Sequence, residues 1–120
     1  MPGYVDGFVL PVPKRNRARY ARLARLAAKV WREHGALQYR ECIADDVPMG
    51  KLTSFPRGVK LKPGEAVWFS FIVYRNRRHR DQVNAKVMKD PRLAKFMDPK
   101  NMPLDGKRVI FGGFRIVVDR

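Results

Sequence analysis

Both faces of the run Val67–Tyr74, VWFSFIVY, are apolar. Successive side chains of an extended chain point to opposite sides. Val67, Phe69, Phe71 and Val73 therefore share one face and Trp68, Ile72 and Tyr74 the other, with only Ser70 small and polar. A strand of this kind is covered on both sides. Tyr4 to Val12 is a first strand, closed by Pro11 and Pro13 and interrupted by Asp6 and Gly7, where Gly7 suits a bulge or a close backbone approach. From about Asn16 to His34 the period changes: Tyr20, Leu23, Ala27, Val30, Trp31 and His34 recur at helical spacing. Asn16 is placed to cap this helix, and Gly35 sits where a left-handed C-cap belongs. Leu37 to Ala44 is a second strand, with Leu37, Tyr39 and Ile43 on one side.

The Gly- and Pro-rich stretch around residues 47–64 follows. A structureless loop of that length is unusual in a compact domain, so Lys51–Phe55 and Val59–Leu61 are expected as short extended arms of a hairpin-like insertion, a projecting clasp. After the apolar strand, a second helix is expected from about Arg77 to Lys89, with Asn76 as cap and His79, Val83 and Val87 inward. Asp90-Pro91 begins a short helix through Phe96. A Pro-punctuated loop, Met97 to Gly106, leads to a last strand, Arg108 to Val118, in which Gly112-Gly113 suggests a bulge or bend.

The order βαββαβ with right-handed crossovers predicts an α+β, ferredoxin-like domain spanning residues 1–120. Its four-stranded antiparallel sheet would carry both helices on one face. The other face stays open although the central strand is apolar there too. Self-association through the sheets closes it, and a two-fold homodimer is the expectation.

Charge changes the picture next. Twenty-six Lys and Arg against eleven Asp and Glu give a net charge of +15. That balance favours anionic partners, or else sits on a solvated surface. Cys42 is the one cysteine, which fits a reducing cytoplasm. No secretory leader pattern is apparent, and no apolar run approaches the ~20 residues of a membrane helix, so a cytoplasmic protein with no membrane partner is expected.

The blocks YVDGFVLPVP, VWREHGA, ADDV, TSFPR, VYRNRRHRD, VNAKVM, MPLDGKR and GGF together resemble the uncharacterised bacterial YbaA-like family, within the dimeric α+β barrel superfamily. The resemblance covers Tyr4 to Val118. It implies a ferredoxin-like protomer that dimerises sheet to sheet, in a superfamily that includes cofactor-free monooxygenases, small-lactone isomerases and haem-dependent chlorite dismutases. It implies no particular reaction.

Candidate chemistry is sparse. His34 and His79 fall on inward helix faces, as general bases or as buried side chains satisfied by the backbone. His34, beside Trp31, is the better candidate for an acid or base at a cavity between helix and sheet. Asp6, a carboxylate in an apolar strand, needs a partner, for which Arg57, Tyr74 and Arg108 are available. Trp31, His34, Asp6 and Tyr74 would line the pocket. Ser54 and Arg57, with Thr53, could bind a carboxylate or anion on the clasp, or embrace a dimer partner. Arg75, Arg77, Arg78 and Arg80 surround a helix N-terminus, where a bound anion would offset their opposition to the helix dipole, as Asp81 does in part.

Two histidines and one cysteine without CxxC or HExxH spacing give no metal site. No Walker loop, GxGxxG or nucleophile elbow is present, and no cofactor is called for. Two functional expectations stand. The first is a small-molecule pocket for binding or cofactor-free chemistry of the monooxygenase or isomerase kind. The second is a non-enzymatic binder of RNA or other polyanions through Arg19, Arg22, Arg25, Lys29 and the Arg75–Arg80 cluster. The RNA-recognition motif shares the βαββαβ order, but Val67-Trp68 and Ser70 depart from its third-strand signature.

Overall fold

In the computed structural model, which describes residues 3–96 and 98–120, Tyr4–Pro13 (β1), Gln38–Ile43 (β2), Glu65–Tyr74 (β3) and Ile110–Arg115 (β4) form one sheet in the order β2-β3-β1-β4. Every neighbouring pair is antiparallel. Arg17–Glu33 (α1), Arg77–Met88 (α3) and the single turn Pro91–Ala94 (α4) carry the helical layer, and another single turn, Phe55–Gly58 (α2), lies between β2 and β3. This is the expected ferredoxin-like α+β architecture. Of the expected loop from Met97 to Gly106, Met97 lies outside the described residues.

The two central strands are the two longest. β1 and β3 pair from Tyr4↔Tyr74 to Pro13↔Glu65 without interruption, so Gly7 makes no bulge. The β4 ladder stops at Val9↔Ile110. At Pro11 and Pro13, β1 is therefore an edge on that side, where a missing N–H is tolerated. The register sends Tyr4, Asp6, Phe8 and Leu10 of β1 and Trp68, Ser70, Ile72 and Tyr74 of β3 to the helix side. There Tyr20, Ala24, Ala27 and Val30 of α1 and His79, Val83 and Val87 of α3 are buried against the sheet.

The opposite face carries Val5, Val9, Phe69, Phe71, Val73, Ile110 and Phe114. Phe69 is 42% and Phe114 61% exposed. Over the glycine pair Gly7↔Gly112 lies the ring of Phe114, whose Cε1 would be 3.7 Å from a Cβ at Gly112. Absence of side chains there serves that ring, and the close approach replaces the bulge expected at Gly112-Gly113.

Gly113 faces the other way, onto Tyr4. A Cβ at 113 would lie 2.7 Å from Tyr4 Cε2 and closer still to the hydroxyl. Gly113→Ala therefore overpacks the sheet and is expected to cost about 2 kcal/mol, read as a lower urea midpoint with an unchanged slope.

β2 is an edge strand on which Tyr39 and Ile43 share a face, as expected, and Leu37 and Ile43 are 40% and 36% exposed. Two expectations are corrected. The arms Lys51–Phe55 and Val59–Leu61 form no ladder. The segment instead folds back on itself around α2, because Ser54 Oγ accepts from the Arg57 amide at 3.0 Å and the Arg57 guanidinium donates to the carbonyls of Met49 and Gly50. Phe55 packs its edge against Phe69, ring centroids 6.2 Å apart, so this segment lies on the open sheet face. The last strand is shorter than Arg108–Val118. Arg108 sits in the 3-10 turn Gly106–Arg108 and grips Glu65 with two bonds of 2.8 and 2.6 Å, which anchors the chain before β4 begins.

Candidate functional site

Between the helix side of the sheet and α1, α3 and α4 lies a cavity of about 460 Å³. Alanines open it: Ala24 and Ala27 are short where α1 crosses the sheet, while Leu23 and Trp31 flank them. Phe8, Leu10, Ile72, Leu93, Phe96 and Phe111 make most of the remaining wall apolar. Polar groups gather at two places.

The first is Asp6. It is buried, and Arg80 Nη1 donates to its Oδ1 at 2.8 Å from the first turn of α3. The Arg80 guanidinium also lies over the Tyr4 ring, 5.0 Å from the centroid. Burial raises the Asp6 carboxyl above its ordinary range, while Arg80, Asn84 and Tyr74 pull the other way. Asn84 Oδ1 accepts from Trp31 Nε1 at 3.2 Å and from the Tyr74 hydroxyl at 3.3 Å, tying α1, α3 and β3 together behind the carboxylate.

The second is Glu41 on β2, whose side chain points to the helix layer. Its Oε1 accepts from the Tyr20 hydroxyl at 2.9 Å and its Oε2 from the Tyr39 hydroxyl at 2.8 Å. Burial raises the Glu41 carboxyl, and the two hydroxyls offset this in part. Both phenols are pushed up by burial and then by the Glu41 charge. The register sets Glu41 opposite Ser70 and Asp6 opposite Ile72. The two carboxyl-bearing residues are thus about 12 Å apart at the backbone, by strand spacing and rise. One stands at each end of the cavity.

Of the residues singled out in the sequence, Asp6 and Trp31 line this cavity. Tyr74 is fully buried behind it, held through Asn84. His34 does not line it. It follows the last residue of α1, and its Nε2 meets Asp90 Oδ2 at 2.9 Å, outside the sheet's cover. Asp90 also caps α4 and accepts from Arg92, whose guanidinium is the first cause holding its carboxyl well below the usual range. His79 is buried, accepts the Arg75 amide at its Nδ1 and is lowered by burial, which favours its neutral form.

Ser54 and Arg57 are used by their own loop, and neither they nor Arg108 reaches Asp6. Arg80 leaves the surface cluster for the interior, whereas Arg75, Arg77 and Arg78 remain exposed. Arg19 donates to the Asn101 carbonyl. Arg22, Arg25 and Lys29 are exposed and enter no ion pair among the described residues. Sequence reasoning missed Glu41, although it shares parity with Tyr39 and Ile43, and missed Asn84.

Residues 3–106 match the model of DUF1428, described as a protein of unknown function. The chain is 47% identical over 116 residues, 97% of each chain, to the uncharacterized protein YbaA of Escherichia coli K12, and equally to that of Shigella flexneri. Among solved structures it is similar to a dimeric ferredoxin-like protein from an uncultured marine organism, with a TM-score of 0.58 and 12% identity over the whole of both chains. It is also similar to PA3566 from Pseudomonas aeruginosa, with a TM-score of 0.53 and 13% identity over 98% of this chain and 95% of that one. At these identities the likeness carries the fold. Among the described residues, no helix is long and apolar enough to cross a membrane.

Proposed function

The chain belongs to the DUF1428 family of proteins of unknown function, and from that premise we propose that it is a homodimer holding one small, largely apolar molecule in the cavity of each protomer, for binding or cofactor-free chemistry. The observation that carries this reading is the cavity itself. It has the size and character of small-molecule sites, mostly apolar with a few convergent polar groups. Asp6, fixed by Arg80, supplies a charged hydrogen-bonding end, and Trp31 and Phe8 supply flat walls. His34, engaged by Asp90, takes no part. The lone Cys42 fits a reducing compartment, so the reading is cytoplasmic.

Native mass spectrometry of protein purified without a high-salt wash tests the reading. A dimer carrying one small nonprotein mass per protomer is expected, and Ala27→Trp, which fills the cavity, should release that mass. A bare wild-type dimer that also fails to take up small uncharged aromatic ketones removes the reading.

A polyanion-binding role is the second reading, favoured by Arg22, Arg25 and Lys29 on one side of α1, which are exposed and enter no ion pair among the described residues. It predicts binding to single-stranded RNA that weakens steeply with salt. Replacing these three residues by Gln should reduce the slope of log affinity against log salt by about 2. Affinity unchanged by the triple substitution rules the α1 surface out.

A further inference from the structure

We infer that Glu41 is the proton-transfer group of the cavity, exchanging its proton with solvent through a separate groove between α1 and β2, and that the cavity's ligand carries a weakly acidic proton. This rests on the small-molecule reading of the cavity and adds to it the residue and the kind of chemistry.

Glu41 belongs to two walls at once. It lines the cavity and also a more open groove of about 250 Å³ bounded by Ala21, Ala24, Arg25 and Ala28 of α1 and by Tyr39 and Trp68 of the sheet. Ala24, Tyr39 and Glu41 are common to both. The carboxyl therefore faces both the cavity and the groove.

Its bonding differs in kind from that of Asp6. Asp6 is paired with a guanidinium at 2.8 Å. Glu41 meets no cation within ion-pair distance among the described residues, and its two oxygens are held by two phenol hydroxyls. Hydrogen bonds of this sort steady a carboxylate, yet leave it free to take a proton when the hydroxyls turn. A half-buried carboxyl without a charge partner among the described residues, raised by burial above its ordinary value, is suited to general acid–base work.

The step is balanced without any co-reactant. A carboxylate oxygen of Glu41 takes a proton from an activated C–H or an O–H of the ligand, and the bonding electrons stay on the ligand as an enolate or oxyanion. The carboxyl then returns the proton to the same or a neighbouring ligand atom, or loses it to water in the groove and draws another back.

The experiment uses the full chain in heavy water with 1-indanone, an uncharged bicyclic ketone with exchangeable α-protons. Proton NMR reads line broadening for binding and loss of the α-signal for exchange. Wild type and Glu41→Gln are expected to bind the ketone alike, with exchange at least about a hundredfold slower in the variant. Ala21→Leu with Ala28→Leu, which fills the groove and not the cavity, should slow exchange while leaving binding in place. Equal exchange by wild type and Glu41→Gln, with the ketone bound, overturns the inference.

If neither protein binds the ketone and the dimer is also bare in native mass spectrometry, the small-molecule reading fails, and the carboxyl itself decides what remains. The chain has only three glutamates, Glu33, Glu41 and Glu65, so side-chain carbon-13 labelling gives three signals. One that titrates above the ordinary glutamate range and vanishes in Glu41→Gln supports a proton-holding Glu41. Ordinary titration of all three overturns it.

Discussion

Phe69→Glu combined with Phe114→Glu is expected to turn the proposed dimer into a folded monomer. Both rings stand on the face of the sheet away from the helices, and both are solvated in the protomer. Phe55 packs edge-on to Phe69, and Phe114 is seated on the Gly7↔Gly112 pair. A stable interface buries roughly 800 Å² per partner, with aromatic side chains at its centre carrying most of the energy. Two-fold symmetry presents the same patch to itself, so each substitution counts twice and brings like charges together. The dissociation constant should rise at least about a thousandfold, equivalent to about 4 kcal/mol. Sedimentation velocity reads the change as a halving of mass, with the circular dichroism of the wild type retained, because the helix-side core is untouched. Phe111→Glu is the control. Phe111 is more exposed than either, at 75%, but it stacks on Phe8 at the helix side and should leave the dimer intact. A wild type that sediments as a monomer at micromolar concentration, or a double variant that sediments like the wild type, defeats the sheet-to-sheet assembly.

Arg80→Ala is expected to be the most damaging single truncation in the cavity wall. It leaves Asp6 charged and buried with no cation, a loss of about 3 kcal/mol for breaking one side of a buried pair. For a chain of this length that is roughly a 12 °C fall in melting temperature. The sign with pH follows from Asp6. Its carboxyl is already raised above 3.8 by burial, and losing Arg80 removes the largest opposing influence. Folding of the variant then takes up a proton. Its deficit should be greatest at neutral pH, shrink as pH falls through the raised folded value, and vanish below the unfolded value of 3.8. Adding Asp6→Asn in the Arg80→Ala background should restore most of the loss at pH 7, since a neutral amide needs no counter-charge. Thermal denaturation of the four proteins at pH 3.5 and 7 decides. A pH-independent deficit, or no recovery in the double variant, shows that packing against Tyr4 and not charge pairing is Arg80's contribution.

The layer order was readable because period two and period 3.6 alternate cleanly along the chain, and because β3 is apolar on both faces. The segment after β2 was not. Its lengths fit two extended arms, but Ser54, Pro56 and Arg57 close a local turn whose bonds lie within the segment, and nothing in a hydrophobic pattern distinguishes such a turn from a hairpin. Asp6 announced itself as a polar break in an apolar strand. Its partner did not, since Arg80 is one of four arginines within six residues and only helix phase sends it inward while Arg75, Arg77 and Arg78 point out. His34 failed for the opposite reason. Phase carried it inward, but the helix had ended and Asp90 was within reach. Glu41 was hidden by strand position. On an edge strand with exposed Leu37 and Ile43, a carboxylate looks like ordinary surface, and only the hydroxyls of Tyr20 and Tyr39 give it a different meaning.

The β1–β4 ladder runs from Tyr4↔Arg115 to Val9↔Ile110, and it joins nearly the two ends of the chain. Local hairpins cannot supply that pairing, and proteins dominated by such distant pairings fold slowly. The β1–β3 ladder closes a shorter loop and is expected to form first, which leaves β4 only the stretch after β3 to close. Phe111, Gly112 and Gly113, which line the cavity, belong to β4. In that order of events the cavity wall is completed late, and until then β1 presents an unpaired edge to any other copy nearby.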